Sequence, residues 1–171
     1  MSAAVLTMLS RPEAEDLLFR EARALDERRF ADWLAMFTED VLFWMPAWRD
    51  ETRPTSDPDT ELSLIYYEGR ANLEDRVWRM GSGLSNASAI PARVSHLVGN
   101  VIVEPGEAGA AIVLSAFTAH HHDPRTDRSH VFFGHYRHVF RPDGDGRWLI
   151  AAKTITLMND CIPTVADLYM L

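Results

Sequence analysis

Seven histidines hold most of the chemical potential of this chain, because imidazole is the side chain whose charge changes near neutral pH. His120, His121 and His122 are consecutive. On a strand His120 and His122 share a face, while His121 points the other way. Two His at i, i+2 can share a metal, but the spacing assigns no third ligand and the run borders Asp123-Pro124. Solvated histidines at a strand end are the plainer expectation. His130, His135 and His138 fall on one predicted strand. His130 and His138 share parity but lie about 26 Å apart at ~3.3 Å per residue, too far for one metal, so they read as sheet residues. His96 lies two residues from both Val94 and Val98 and faces wherever they face. Two readings stay open for it: a core histidine with a hydrogen-bond partner, or a general base lining a cavity.

The remaining chemistry-bearing residues are less pointed. Asp32 and Glu74-Asp75 sit at predicted helix starts, where negative charge suits the helix dipole. No two carboxylates have a spacing that demands acid–base work, and no phosphate loop or dinucleotide fingerprint is present. The single cysteine, Cys161, excludes an internal disulfide and any all-cysteine cluster built by one chain. A net charge of −8 argues against a nucleic-acid or anionic-membrane surface. Sixteen Arg stand against one Lys, Lys153, and Arg suits planar, multi-donor contacts at interfaces. Apolar content of 47% with five Trp points to a packed globule. No apolar stretch approaches about 18 residues, so no membrane span is expected. The start, Met1–Leu9, lacks a basic region and is a poor signal peptide, which makes the cytoplasm the expected compartment.

These residues must be positioned by two kinds of element. Ser10-Arg11-Pro12-Glu13 predicts a helix start with a capping box, followed by an apolar face of Ala14, Leu17, Leu18, Ala22 and Leu25. Phe30, Trp33, Leu34 and Phe37 predict a second, shorter helix, broken at Thr38-Glu39-Asp40. Val41–Met45 is apolar throughout and predicts a strand covered on both faces, limited by Pro46. Arg49–Thr60 is expected to be a long loop, Leu62–Tyr67 a short extended piece, and Ala71–Met80 a third helix facing inward through Leu73, Val77 and Met80. Gly81-Ser82-Gly83 should stop that helix, with a loop over Leu84–Ala92. Four long strands follow, Arg93–Glu104, Ala110–His122, Arg128–Arg141 and Arg147–Asn159. They are separated by tight Gly, Pro and Asp turns, so they must pair as antiparallel neighbours. So long a twisted sheet has to curl around something apolar. The expected class is α+β, a cone with N-terminal helices packed on a strongly curved, mainly antiparallel sheet. It would form one domain over 1–171, with an N-terminal arm at 1–10 and an apolar C-terminal tail at 161–171 that docks on the core or on a neighbour.

Several segments, taken in order, resemble a known family. They are Phe43-Trp44-Met45-Pro46-Ala47-Trp48, Ser63–Tyr67, Leu73-Glu74-Asp75-Arg76-Val77, Arg93-Val94-Ser95-His96 with Asn100, and Lys153-Thr154 with Asn159-Asp160. Together they resemble the small (beta) subunit of aromatic-ring-hydroxylating (Rieske) dioxygenases, in the benzoate, toluate and anthranilate branch. The resemblance implies the cone fold shared with nuclear transport factor 2 and scytalone dehydratase. It also implies a structural, non-catalytic role beside a large (alpha) subunit that carries a Rieske [2Fe–2S] cluster and a mononuclear Fe(II). The implied assembly is an alpha3beta3 hexamer with the small subunits as a homotrimer, and the implied reaction adds both atoms of dioxygen to an aromatic ring, here an aromatic carboxylate, with electrons from NADH. No cofactor, metal or catalytic residue is then expected on this chain, since a Rieske centre needs two Cys and two His. Subunit contacts are expected at Trp48, Tyr66, Tyr67, Arg70, Asn159 and Asp160, where exposed aromatics and Arg have the composition of interface hot spots. The alternative on the same fold is a stand-alone, cofactor-free dehydratase or isomerase with His96 as base, helped by Tyr66 or Asp32.

Overall fold

The structure is a computed structural model and describes residues 8–81, 91–162 and 167–171. Helix α1 spans Arg11–Asp26. Its start has the predicted capping box: the Glu13 carboxylate accepts from Ser10 N at 2.9 Å, and Ser10 Oγ accepts from Glu13 N at 3.4 Å. Helix α2 is only Phe30–Leu34. Strand β1 runs Phe37–Pro46, β2 Ser63–Glu68, and helix α3 Arg70–Gly81. The four long strands follow as β3 Arg93–Pro105, β4 Ala111–Asp123, β5 Arg128–Pro142 and β6 Trp148–Leu157. The six strands form one sheet in the order β2-β1-β6-β5-β4-β3, antiparallel except for the parallel pair β1–β6.

Two expectations are corrected. Thr38-Glu39-Asp40 does not break a helix; it lies inside β1. The second helix stops at Leu34, where Ala35 N donates to Ala31 O and Met36 N to Trp33 O, and Phe37 already belongs to the sheet. The polar residues survive in the strand because Arg side chains hold them: Arg70 pairs with Glu39, and Arg141 pairs with Asp40 while donating to Thr38 Oγ1 at 3.2 Å. Nor is β1 evenly covered on both faces. Val41, Phe43 and Met45 are fully buried, whereas Leu42 and Trp44 are half-buried.

The turns form as their chemistry requires. The Asp143 carboxylate accepts from the backbone of Asp145 and Arg147 at 2.9 Å each, and Asp123 does the same for Arg125 at 2.9 Å. The loop 47–62 is tied down by Thr55, whose hydroxyl donates to Ala47 O or Leu62 O (3.1 and 2.9 Å). Strand β3 carries a bulge between Gly99 and Ile102, with Asn100 at φ 54°. It re-aims the strand, so that His96 is buried before it and Val101 after it.

All three helices pack on one face of the sheet. The core there contains Trp33, Phe37, Phe43, Leu18, Leu25 and Leu73, with Phe132, Phe140, Ile150 and Ile155 from the strands. Trp33, Phe37 and Phe43 meet edge to face with centroids 4.8–6.4 Å apart. In the C-terminal tail Leu168, Met170 and Leu171 are buried, and Asp167 pairs with Arg76 of α3 at 2.7 Å. Expectations for residues 1–7 of the arm, for Ser82-Gly83 and 84–90, and for Val165 of the tail lie outside the described residues.

Strands β5 and β6 approach most closely, among the glycine positions, at Gly134. A Cβ placed there would stand 2.0 Å from Thr156 O, a backbone atom that cannot swing away. Gly134→Ala is therefore expected to cost about 2 kcal/mol or more, in the upper range for overpacking. Denaturant unfolding of the variant against the parent chain measures this, and an unchanged midpoint would show that the strands are not held this close.

Candidate functional site

The only lysine of the chain is buried under the helical layer. Lys153 on β6 is 1% exposed, and its Nζ lies 2.8 Å from Glu21 Oε1 on α1, a residue 3% exposed. Glu21 Oε2 accepts from His138 Nε2 on β5 at 3.0 Å, and Glu21 Oε1 is also 3.4 Å from the Trp33 indole nitrogen. Nζ sits 4.3 Å from the Tyr136 ring centroid and 5.7 Å from that of Phe43, so quadrupoles as well as the carboxylate stabilise the ammonium. Burial by itself would raise Glu21, but the Lys153 cation and the His138 hydrogen bond outweigh it and hold the carboxyl well below the usual range. Burial lowers His138 against the opposing pull of Glu21. One anion and one cation then balance, and a neutral imidazole completes the set. A second buried cation would be left without a counter-charge.

Glu21 was not among the residues singled out by sequence, and His138 was read only as a sheet residue. Glu21 falls on the buried stripe of α1 with Ala14, Leu18, Ala24 and Leu25, but an acid on a helix reads by default as solvated. The one available signal was Lys153 itself, alone against sixteen arginines.

His96 faces inward as expected. Its side chain is 1% exposed, and its Nδ1 lies 2.6 Å from the carboxylate of Asp26, the last residue of α1. The same carboxylate accepts from His96 N at 3.2 and 3.1 Å. Asp26 thus fastens the end of the helix to an edge strand and satisfies an outward-pointing N–H there. The other two members of the alternative catalytic set are elsewhere. Asp32 is exposed and pairs with Arg29 at 2.6 Å. Tyr66 lies on β2, at the opposite edge of the sheet from β3, and its hydroxyl is pushed up by burial and by Glu68, Asp59 and Asp57.

The expected contact residues divide into two groups. Trp48 and Asp160 line one surface pocket of about 430 Å³ with Asp50, Glu51 and Met158, and the Trp48 indole donates to Leu157 O at 2.7 Å. Asn159 lies just past the end of β6 and holds β5: its amide donates to Val131 O at 2.8 Å, and its oxygen accepts from Phe133 N at 3.1 Å. Tyr66, Tyr67 and Arg70 lie at the far edge, where Arg70 binds Glu39 and Glu74. Sequence reasoning missed the outer face of the sheet. Thr118 pairs with both Leu97 and Phe133, His120 with Val131, and Leu114 with Ile102. Leu97 (64%), Ile102 (56%) and Phe133 (46%) are exposed there, beside Val131 and Met158. No described element covers them, and an apolar patch of this kind on a sheet face marks a contact surface.

The histidine run divides by parity as predicted, but His121 is buried against the Phe132 ring edge at 6.3 Å, and burial lowers its pKa. His120 is exposed and His122 partly so, as expected of that pair. Among the described residues no group of three His, Cys, Asp or Glu could hold a metal ion, and no helix is long and apolar enough to cross a membrane.

Comparison with known proteins agrees with this architecture. A family described as "Ring hydroxylating beta subunit" matches residues 20–164. The benzoate 1,2-dioxygenase subunit beta of Acinetobacter baylyi is 36% identical over 168 residues, spanning 98% of each chain. The crystal structure of the beta subunit of benzoate 1,2-dioxygenase from Burkholderia mallei superposes with a TM-score of 0.79 at 29% identity, covering 96% of this chain and 99% of that one. A scytalone dehydratase-like protein from Novosphingobium aromaticivorans has a TM-score of 0.65 at 17% identity, over 90% of this chain and 89% of its own. At that identity the likeness shows the fold alone.

The buried cluster yields two expectations. Lys153→Met leaves the buried Glu21 carboxylate without its counter-cation, and should cost about 3–5 kcal/mol, whereas the double variant Glu21→Leu/Lys153→Met should recover most of that loss. Stability should also fall in acid. His138 is neutral in the fold but takes up a proton in the unfolded chain below its ordinary pKa of about 6.5. Glu21 is ionised in the fold but protonates in the unfolded chain below about 4.5. Both groups make the unfolded state bind more protons, so unfolding free energy should start to drop below about pH 6.5 and fall further below about 4.5. In Glu21→Leu/Lys153→Met the lower of these two components should vanish from the stability–pH curve.

Proposed function

This chain belongs to the ring-hydroxylating beta-subunit family, and we propose on that footing that it is the non-catalytic small subunit of an oxygenase that adds both atoms of dioxygen to an aromatic carboxylate. Its role is to seat a large alpha subunit and to associate with copies of itself, as a trimer within an alpha3beta3 assembly. The Rieske cluster, the mononuclear iron and the electron flow from NADH belong to the large subunit, and the assembly works in the cytoplasm. Residues 1–171 act as one domain whose apolar tail docks on its own core.

The observation that carries this reading is the asymmetry of the sheet. One face is packed by large side chains and a balanced ion cluster, while the other presents Leu97, Ile102, Val131 and Phe133 to the outside. The donor set does not fit a Rieske cluster. A Rieske cluster needs two thiolates and two imidazoles on one chain, and this chain has one cysteine, Cys161, which is exposed. The dehydratase alternative is the weaker reading: the relatives are beta subunits, and His96, Tyr66 and Asp32 stand on separate elements, with His96 held by Asp26 and Asp32 by Arg29.

Subunit contacts on the outer face should respond to charge. Burying a Leu or Phe side chain stabilises a contact by about 1.5–3 kcal/mol, so Leu97→Asp and Phe133→Asp should each weaken assembly by roughly tenfold or more. Co-expression with a benzoate-type large subunit, followed by sizing and iron analysis, tests this. Iron recovered in the complex and absent from the isolated chain fits the proposal. A chain that never associates with a large subunit, or that turns over a substrate alone, would sink it.

A further inference from the structure

We infer that one ordered water binds inside the core between Ser115 and His138 and completes a polar chain running Ser115–water–His138–Glu21–Lys153. Ser115 on β4 is 4% exposed and His138 on β5 is fully buried. Ser115 pairs with Tyr136, and Val113 pairs with His138. Ser115 and His138 are therefore one diagonal step apart on the same inward face. Cβ atoms so placed are separated by about 7 Å or somewhat less, a gap that a hydroxyl, a water and an imidazole nitrogen can span together.

The chemistry of the two ends matches. Ser115 Oγ and His138 Nδ1 are buried and have no hydrogen-bonding partner among the described residues. The other ring nitrogen, Nε2, faces the Glu21 carboxylate at 3.0 Å. An ionised carboxylate only accepts, so in a neutral ring the proton sits on Nε2 and Nδ1 is left as a bare acceptor. A water can donate one hydrogen to Nδ1 and accept from the Ser115 hydroxyl, which gives it the two polar partners that a buried water requires. Native interiors rarely leave two such atoms unsatisfied on neighbouring strands. The water would also fix the tautomer of His138, and through it the hydrogen bond that His138 gives to Glu21. The inference concerns the interior alone and does not rest on the assignment as a dioxygenase subunit.

Two measurements on the full chain test it. A high-resolution crystal structure should show a density peak within hydrogen-bond distance of both Ser115 Oγ and His138 Nδ1, and that peak should be lost in Ser115→Ala. Imidazole ¹⁵N spectra should show Nε2 protonated and Nδ1 as a hydrogen-bonded acceptor, shifting toward the free-acceptor position in Ser115→Ala. A dry gap with the serine hydroxyl turned onto a backbone carbonyl would overturn the inference. So would a protonated Nδ1 in the parent chain, a result that needs no variant to fold.

Discussion

The ion pair between Lys153 and Glu21 is the contact on which the arrangement of helix and sheet depends. It joins α1 to β6, at a sequence separation of 132 residues, and through His138 it reaches β5 as well. Two charges taken out of water at 1% and 3% exposure face a desolvation cost of several kcal/mol each. That cost is offset only because the carboxylate is shared among an ammonium, an imidazole and an indole, while the ammonium also lies over two aromatic rings. The groups of the cluster come from α1, α2, β1, β5 and β6, so the cluster forms only when the layers are already docked. It therefore acts as a check on correct assembly of the core more than as a source of net stability.

Much of the fold was legible from local chemistry. Gly, Pro and Asp turns separated the four long strands, and their near-contiguity in sequence dictated antiparallel pairing. Ser10 and Glu13 marked the start of α1. The misreading at Thr38-Glu39-Asp40 has a specific cause: the polarity that argued for a break is neutralised by Arg70 and Arg141, which are 31 and 101 residues away from Glu39 and Asp40. The same limit applies to the buried cluster. Periodicity reports which side of an element is apolar, but not that a charge on that side will meet its partner across the core. His96 could be aimed correctly from Val94 and Val98, while Asp26, which binds it, could not be named, because a helix end and an edge strand 70 residues apart share no local pattern.

The two faces of the sheet make the division of labour physical. Toward the helices, parity places Phe117, Ala119, Phe132, Tyr136 and Phe140 inside, with Phe117 stacked on Tyr136 at 4.0 Å. Toward the outside, the same strands present Leu97, Thr118, Val131 and Phe133. The alternation that builds the core thus leaves a second apolar surface that no described element of this chain covers. Strands with β-branched and aromatic residues on both faces are those of a sheet meant to be covered twice, and a subunit whose partners are other chains meets that description.

The cone architecture hosts enzymes and scaffolds alike, so the fold cannot decide between them. The register of α1 is more informative. Glu21 meets Lys153 only at one rotation of that helix. Turning it by one residue, about 100°, would present Arg20 or Ala22 instead. Arg20 would add a second cation beside a buried ammonium, and Ala22 would leave Lys153 with no counter-charge at all. Either error costs several kcal/mol, as much as a domain of this size can spare from its marginal stability. An acid and a base fixed this firmly in each other's grasp have no free valence for a substrate. The charged residues at the heart of this chain therefore specify how its layers meet.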